Sequence, residues 1–129
     1  MPITMLYAGA LALVLLMLSI RVIQARGQTK VYMGDGGNEL MLRRMRGQAN
    51  FVEYVPMALI LIALLEYRGA APWLLHALGA TLLVARLLHG YTFAFAKHFP
   101  PGRFGGAVLT QAVLAVAGLA CLWQGLKVL

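Results

Sequence analysis

Apolar and polar positions along the chain fall into long greasy runs divided by short polar segments. Residues 3–20 carry no charge, and about 27 Å of helix nearly covers the roughly 30 Å hydrocarbon core of a bilayer. The polar segment GQTKVYMGDGG then leads to a second run opening at Asn38. Asparagine is suited to cap a helix N-terminus, and Glu39 to complement the dipole of the first turn. Only 12 residues separate Glu53 from Glu66, about 18 Å of helix. A spanning helix here must therefore draw Glu53, with Asn50, to membrane depth, and Pro56 is a candidate kink. The third run follows RGAAP, with Pro72 in its first turn; it is charge-free to Ala85 and then meets Arg86 and His89. The fourth follows KHFPPGR and is charge-free from Phe104 to Leu126. The pattern predicts one all-α domain over residues 1–129, an integral membrane four-helix bundle with helices at about 3–25, 38–66, 72–96 and 103–126.

Composition strengthens this reading. The chain is 61% hydrophobic and 12% charged with a mean hydropathy of +0.79, against about a quarter charged in soluble domains. A net charge of +7 can signal nucleic acid, but these basic residues cluster between apolar runs, as membrane topology requires. Arg21, Arg26, Lys30, Arg43, Arg44, Arg46, Lys97 and Arg103 flank two of the connections, whereas the opposite side has only Arg68 and Lys127. The positive-inside rule puts the larger group in the cytoplasm and both termini outside, in an inner, cytoplasmic membrane. MPIT lacks a positive n-region, so the first run is expected to be retained as a helix. Cys121, the one cysteine, excludes an intrachain disulfide.

The polar residues inside the runs carry the candidate chemistry. Glu53 and Arg86 lie about 20 Å along their helices from the outer ends, so they share a depth. Arg46, Asn50, Glu53 and Met57 follow one helical stripe, with Arg43 a turn before; Arg86, His89 and Phe93 follow another. Two such stripes are expected to face each other or a shared cavity. Charges at that depth cost at least about 2.5–3.5 kcal/mol each, which makes them functional candidates. Plain packing would pair Glu53 with Arg86, and that pair is expected even in a functional site. It leaves Arg46, Gln48, Asn50 and Arg103 unexplained. Arg43 and Arg44 are expected to be solvated topology charges, and Gln24 a helix-end residue.

Other motifs add less. GDGG reads as a turn, because no Gly-Lys-Ser/Thr follows. Ala77, Thr81 and Ala85 recur every fourth residue, as do Ala117 and Cys121, a spacing that lets membrane helices approach closely. His76, His89, His98 and Cys121 lack metal-ligand spacing, so no metal is predicted. No Ser-His-Asp or paired-carboxylate arrangement is evident. What remains is a basic, amide-lined cleft suited to a small ligand with carboxylates, where an arginine near a thiol would favour the thiolate.

R-G-Q-A-N-F-V-E-Y-V-P at residues 46–56 resembles the helix-two signature Arg-Ala-Gln-x-Asn-x-x-Glu-Tyr-x-Pro of the MAPEG superfamily. These are membrane-associated proteins in eicosanoid and glutathione metabolism, and the pattern is similar to the microsomal glutathione transferases. V-I-Q-A-R at 22–26, A-R-L-L-H at 85–89 and Arg103 extend the resemblance over most of the chain. It implies a homotrimer with glutathione as co-substrate, bound between subunits toward the cytoplasm. By position, Arg26, Arg46, Gln48, Asn50, Glu53, Tyr54, Arg86 and His89 would bind glutathione, and Arg103 would be catalytic, stabilising its thiolate.

The departures narrow the expectation. Gly47 stands where alanine is usual, and Gly27 where some members have a second arginine. Phe93 replaces a tyrosine that eicosanoid-forming members use, and Tyr91 lies on another face. These argue against leukotriene or prostaglandin synthesis. The implied activity is a glutathione transferase or peroxidase acting in detoxification, with a lipophilic electrophile or lipid hydroperoxide arriving from the bilayer. A non-catalytic lipid-binding or scaffolding protein of the same fold is the alternative. A transporter or channel ranks last, because the polar residues fill only one half of the span.

Overall fold

The computed structural model describes residues 1–96 and 100–127, so Lys97 and His98 of the preceding section lie outside the described residues. Four helices make up the fold: α1 (Pro2–Thr29), α2 (Glu39–Tyr67), α3 (Pro72–Ala94) and α4 (Pro100–Leu126). All four are long and apolar enough to cross a membrane. Helices α2 and α3 form the centre, because α1 and α4 each pack on both of them and, among the described residues, not on one another.

Local chemistry explains the boundaries. Asn38 caps α2, its side-chain oxygen accepting from the Met41 N–H at 3.1 Å. Pro72 opens α3, where its missing N–H would have had no partner. Helix α1 was expected to stop near residue 25, yet it continues to Thr29, whose hydroxyl donates to the Ala25 carbonyl at 2.8 Å. It ends where Lys30 turns left-handed at φ 56°. Helix α2 passes through Pro56 and stops before Gly69, whose φ of 75° suits only glycine. Helix α3 ends two residues before residue 96, and α4 begins three before residue 103.

The core is one main apolar stack, with a smaller cluster of Val22, Ala25 and Met41 between α1 and α2. Phe51, Val55, Ala58, Ile62 and Leu65 form one stripe of α2, meeting Leu11, Val14 and Leu18 of α1, Leu75 and Leu82 of α3, and Val113 and Ala117 of α4. Leu6, Leu13, Leu16, Leu119 and Leu122 stay exposed on the outer faces, as expected of surfaces that meet lipid. Helices α3 and α4 approach closely enough at Gly106 to bring backbone against backbone. A Cβ on Gly106 would sit 2.6 Å from the Ala85 carbonyl oxygen and 2.8 Å from the His89 Cβ. Of the small residues expected at contacts, Ala85 and Ala117 are buried, whereas Ala77 is exposed.

Polar clamps hold both ends. At one end the Glu66 carboxylate accepts from the Ile3 and Thr4 N–H groups at 2.9 and 2.7 Å and from the Thr4 hydroxyl at 2.6 Å. An acidic side chain from α2 thereby caps the positive end of α1. At the other end, three arginines close the C-terminus of α3. Arg21 donates twice to the Ala94 carbonyl at 3.1 and 3.0 Å, Arg44 to Phe93 O at 2.9 Å, and Arg43 to Ala96 O. Arg44 is only 8% exposed, which corrects the expectation that Arg43 and Arg44 are solvated topology charges. Their work is to satisfy carbonyls that the helix itself leaves unpaired.

Candidate functional site

The arginine-rich end opens into a cleft of about 600 Å³ between the start of α2, the end of α3 and the start of α4. Arg43, Arg46 and Asn50 line it from α2, His89 and Phe93 from α3, and Arg103 from α4. The His89 and Phe93 rings stack with centroids 4.7 Å apart and planes 24° from parallel. The Arg103 guanidinium carbon lies 5.7 Å from the Phe93 centroid, a cation over an aromatic face. Phe93, placed by the sequence on the α3 stripe and by the resemblance as a lost hydroxyl, thus contributes a platform.

Arg86 lies beneath this surface, 1% exposed. Its Nη1 donates to Asn50 Oδ1 at 2.9 Å, and its Nη2 to Thr110 Oγ1 at 2.6 Å and Gly106 O at 3.2 Å. Its buried Nε has no partner among the described residues. Arg86 therefore acts as a strut across α2, α3 and α4. It occupies the oxygen of the Asn50 amide and leaves the amide's NH₂ to donate into the cleft.

The expected Glu53–Arg86 pair does not form. Glu53 stands 3.9 Å from Arg46 instead, both side chains about half exposed. The depth argument was sound, but rotation decides the outcome. Glu53 is three residues, about 300°, beyond Asn50, so it swings to the outward edge while Arg86 reaches inward. Three further candidates sit elsewhere. Gln48 donates to Ser19 Oγ at 2.9 Å and ties α2 to α1. Arg26 donates to Val31 O at 3.1 Å and Gly34 O at 3.3 Å, bracing the first connection. Tyr54 is half-buried one turn beyond Asn50. In the single chain Arg26, Gln48, Glu53 and Tyr54 do not line the cleft.

Sequence reasoning also missed residues. Glu39, read as a dipole residue, lines the cleft together with Thr92 and Ala107. Gly106 and Thr110 were not singled out, although they share a face one turn apart, the small-residue spacing already sought on α3. The arrangement as a whole offers guanidiniums for carboxylates, an amide donor and an aromatic floor.

The family profile for MAPEG matches residues 4–123. The chain belongs to the MAPEG family. Among curated proteins it is similar to the inner membrane protein YecN of Escherichia coli strain K12, 37% identical over 118 residues that cover 92% of this chain and 88% of YecN. The YecN protein of Escherichia coli O6:H1 matches with the same identity and coverage. No solved structure matches the chain. With four helices suited to span a bilayer, this MAPEG chain is a multi-pass membrane protein.

Proposed function

We propose that this MAPEG protein binds glutathione in the arginine cleft and is a membrane glutathione transferase or peroxidase. The observation that carries the reading is the convergence of Arg46, Asn50, His89 and Arg103, from three helices, on one cavity of about 600 Å³. That volume lies within the range of small-molecule sites. Glutathione brings two carboxylates, an amine, peptide groups and a thiol. Arg46 and Arg43 offer forks to a carboxylate, the Asn50 amide donates to a peptide carbonyl, and Glu39 receives the amine. Arg103 stands at the thiol, holding it as the thiolate, the form that attacks. The second substrate, an electrophile or hydroperoxide soluble in lipid, enters from the bilayer.

Membrane physics supports assembly. The Arg46–Glu53 pair is about half exposed on the outside of a single chain, and charges facing lipid at depth are costly. A neighbouring copy would cover it, in keeping with the homotrimer that the resemblance implies, and would bring further polar groups to the cleft. The similarity to YecN and the basic bias of the cleft end support an inner membrane location, with the cleft toward the cytoplasm and both termini outside.

The test is a glutathione titration of detergent-purified protein, following thiolate absorbance, beside Arg103→Ala. Binding with a thiolate signal that vanishes in the variant is the expected result. Binding without thiolate in either protein would replace the enzyme with a non-catalytic member. No binding to folded protein would remove glutathione.

A further inference from the structure

A second cavity of about 320 Å³ lies at the opposite end of the bundle, between the last turns of α2 and α4. Leu64, Leu65, Cys121 and Gly125 wall it, and Arg68 and Gln124 stand at its polar side. The lining runs from 64 to 68 on one helix and from 121 to 125 on the other, each about 6 Å of axis. It is therefore a shallow groove at the membrane boundary. Its floor is apolar and one edge carries a cation and an amide.

Among the described residues, no carboxylate compensates the charge at that edge. The Arg68 side chain makes no hydrogen bond or ion pair with any described residue. Glu66, the nearest carboxylate in sequence, is fully engaged by Ile3 and Thr4 of α1. Lys127, also at this end, lies 4.7 Å over the Trp123 ring and does not line the groove. A free guanidinium beside an apolar slot at headgroup depth is complementary to an anionic head with an acyl chain. The space at Gly125 is open, since a Cβ there would meet nothing within 4 Å, so a longer side chain has room to fill the mouth.

We infer that this groove binds an acidic phospholipid, with the phosphate on Arg68 and Gln124 and the first methylenes of one acyl chain on Leu64, Leu65 and Cys121. The remainder of the lipid lies in the bilayer, which a groove this shallow requires. The site is independent of the arginine cleft and stands whether or not glutathione binds.

Trp123 is a neighbouring reporter, and Trp73 is the only other tryptophan. The protein in a Trp73→Phe background is reconstituted into phosphatidylcholine vesicles containing brominated phosphatidylglycerol, or brominated phosphatidylcholine as the reference. The ratio of Trp123 quenching by the two lipids gives the relative affinity. An approximately fivefold preference for the acidic lipid is expected, matching the ~1 kcal/mol that one arginine contributes near an anionic surface. Arg68→Gln and Gly125→Leu should each bring the ratio to about one, while Lys127→Gln leaves it. Neither Arg68 nor Gly125 makes a side-chain contact that the fold uses, so both variants should fold. No preference in the parent, an equal loss in Lys127→Gln, or no effect of Gly125→Leu would each overturn the site. A change of oligomer size in Gly125→Leu would place a second copy of the chain there and overturn it too.

Discussion

Replacing Gly106 with alanine tests the geometry on which the cleft depends. The new Cβ would lie 2.6 Å from the Ala85 carbonyl oxygen, where ordinary contact begins at 3.4 Å. Backbone cannot step aside as a flexible side chain can, so α3 and α4 must part by about 0.8 Å. The same displacement would stretch the Arg86–Thr110 hydrogen bond from 2.6 Å to about 3.4 Å, beyond the normal range. The Arg86 contact to Gly106 O, already 3.2 Å, would be lost. Overpacking costs about 1–3 kcal/mol, and a weakened hydrogen bond to a buried charge about 1.5–3 kcal/mol. Alanine returns about 1 kcal/mol of helix propensity. A net destabilisation of about 3 kcal/mol follows, read as the midpoint of SDS-induced unfolding followed by far-ultraviolet circular dichroism. Gly105→Ala is the matched control, because a Cβ there would meet nothing within 4 Å, and it should be neutral or stabilising. Equal midpoints for the two variants would refute the close approach of α3 and α4.

Thr110→Val keeps the side-chain shape but removes the hydroxyl that Arg86 reaches at 2.6 Å; it should lower stability by about 1.5–3 kcal/mol in the same unfolding assay. Glu66→Gln removes the anion that caps α1 and should cost about 1–2 kcal/mol, with faster amide exchange confined to the first turns of α1. Arg44 and Arg46 should separate cleanly. Arg44→Ala removes a buried guanidinium and leaves the Phe93 carbonyl without its donor, and should destabilise by about 1–3 kcal/mol, whereas Arg46→Ala, an exposed position, should change stability by less than about 0.5 kcal/mol while weakening ligand binding.

The spans were legible because the cost of placing charge in lipid forces long uncharged runs, and those runs are visible residue by residue. Asn38 and Pro72 were legible for a local reason: their effects act within one turn. Helix ends were harder. The polar segment from Gly27 was read as the connection, but an arginine can brace a connection from inside a helix, and the turn is made by Lys30. For the site, spacing along an axis reports depth well and rotation poorly. It set Glu53 and Arg86 at one depth on two facing stripes, and Arg46, Asn50 and His89 of those stripes do meet with Arg103 at one cleft. It could not show that Glu53 faces outward or that Gln48 turns to Ser19. The sequence paired Arg86 with Glu53, because its actual acceptors on α4 are a hydroxyl and a backbone carbonyl. A carbonyl leaves no mark in a sequence.

The central claim, that the arginine cleft recognises the carboxylates of glutathione, is tested most directly by calorimetric titration of purified protein with glutathione and with its dimethyl ester. Each charge-assisted bond lost should weaken binding by about 1.5–3 kcal/mol, so glutathione should bind at least about tenfold more tightly than the ester. Arg46→Ala should erase most of that difference in a chain that remains folded. Ester and acid binding alike, or neither binding to folded protein, would contradict the claim.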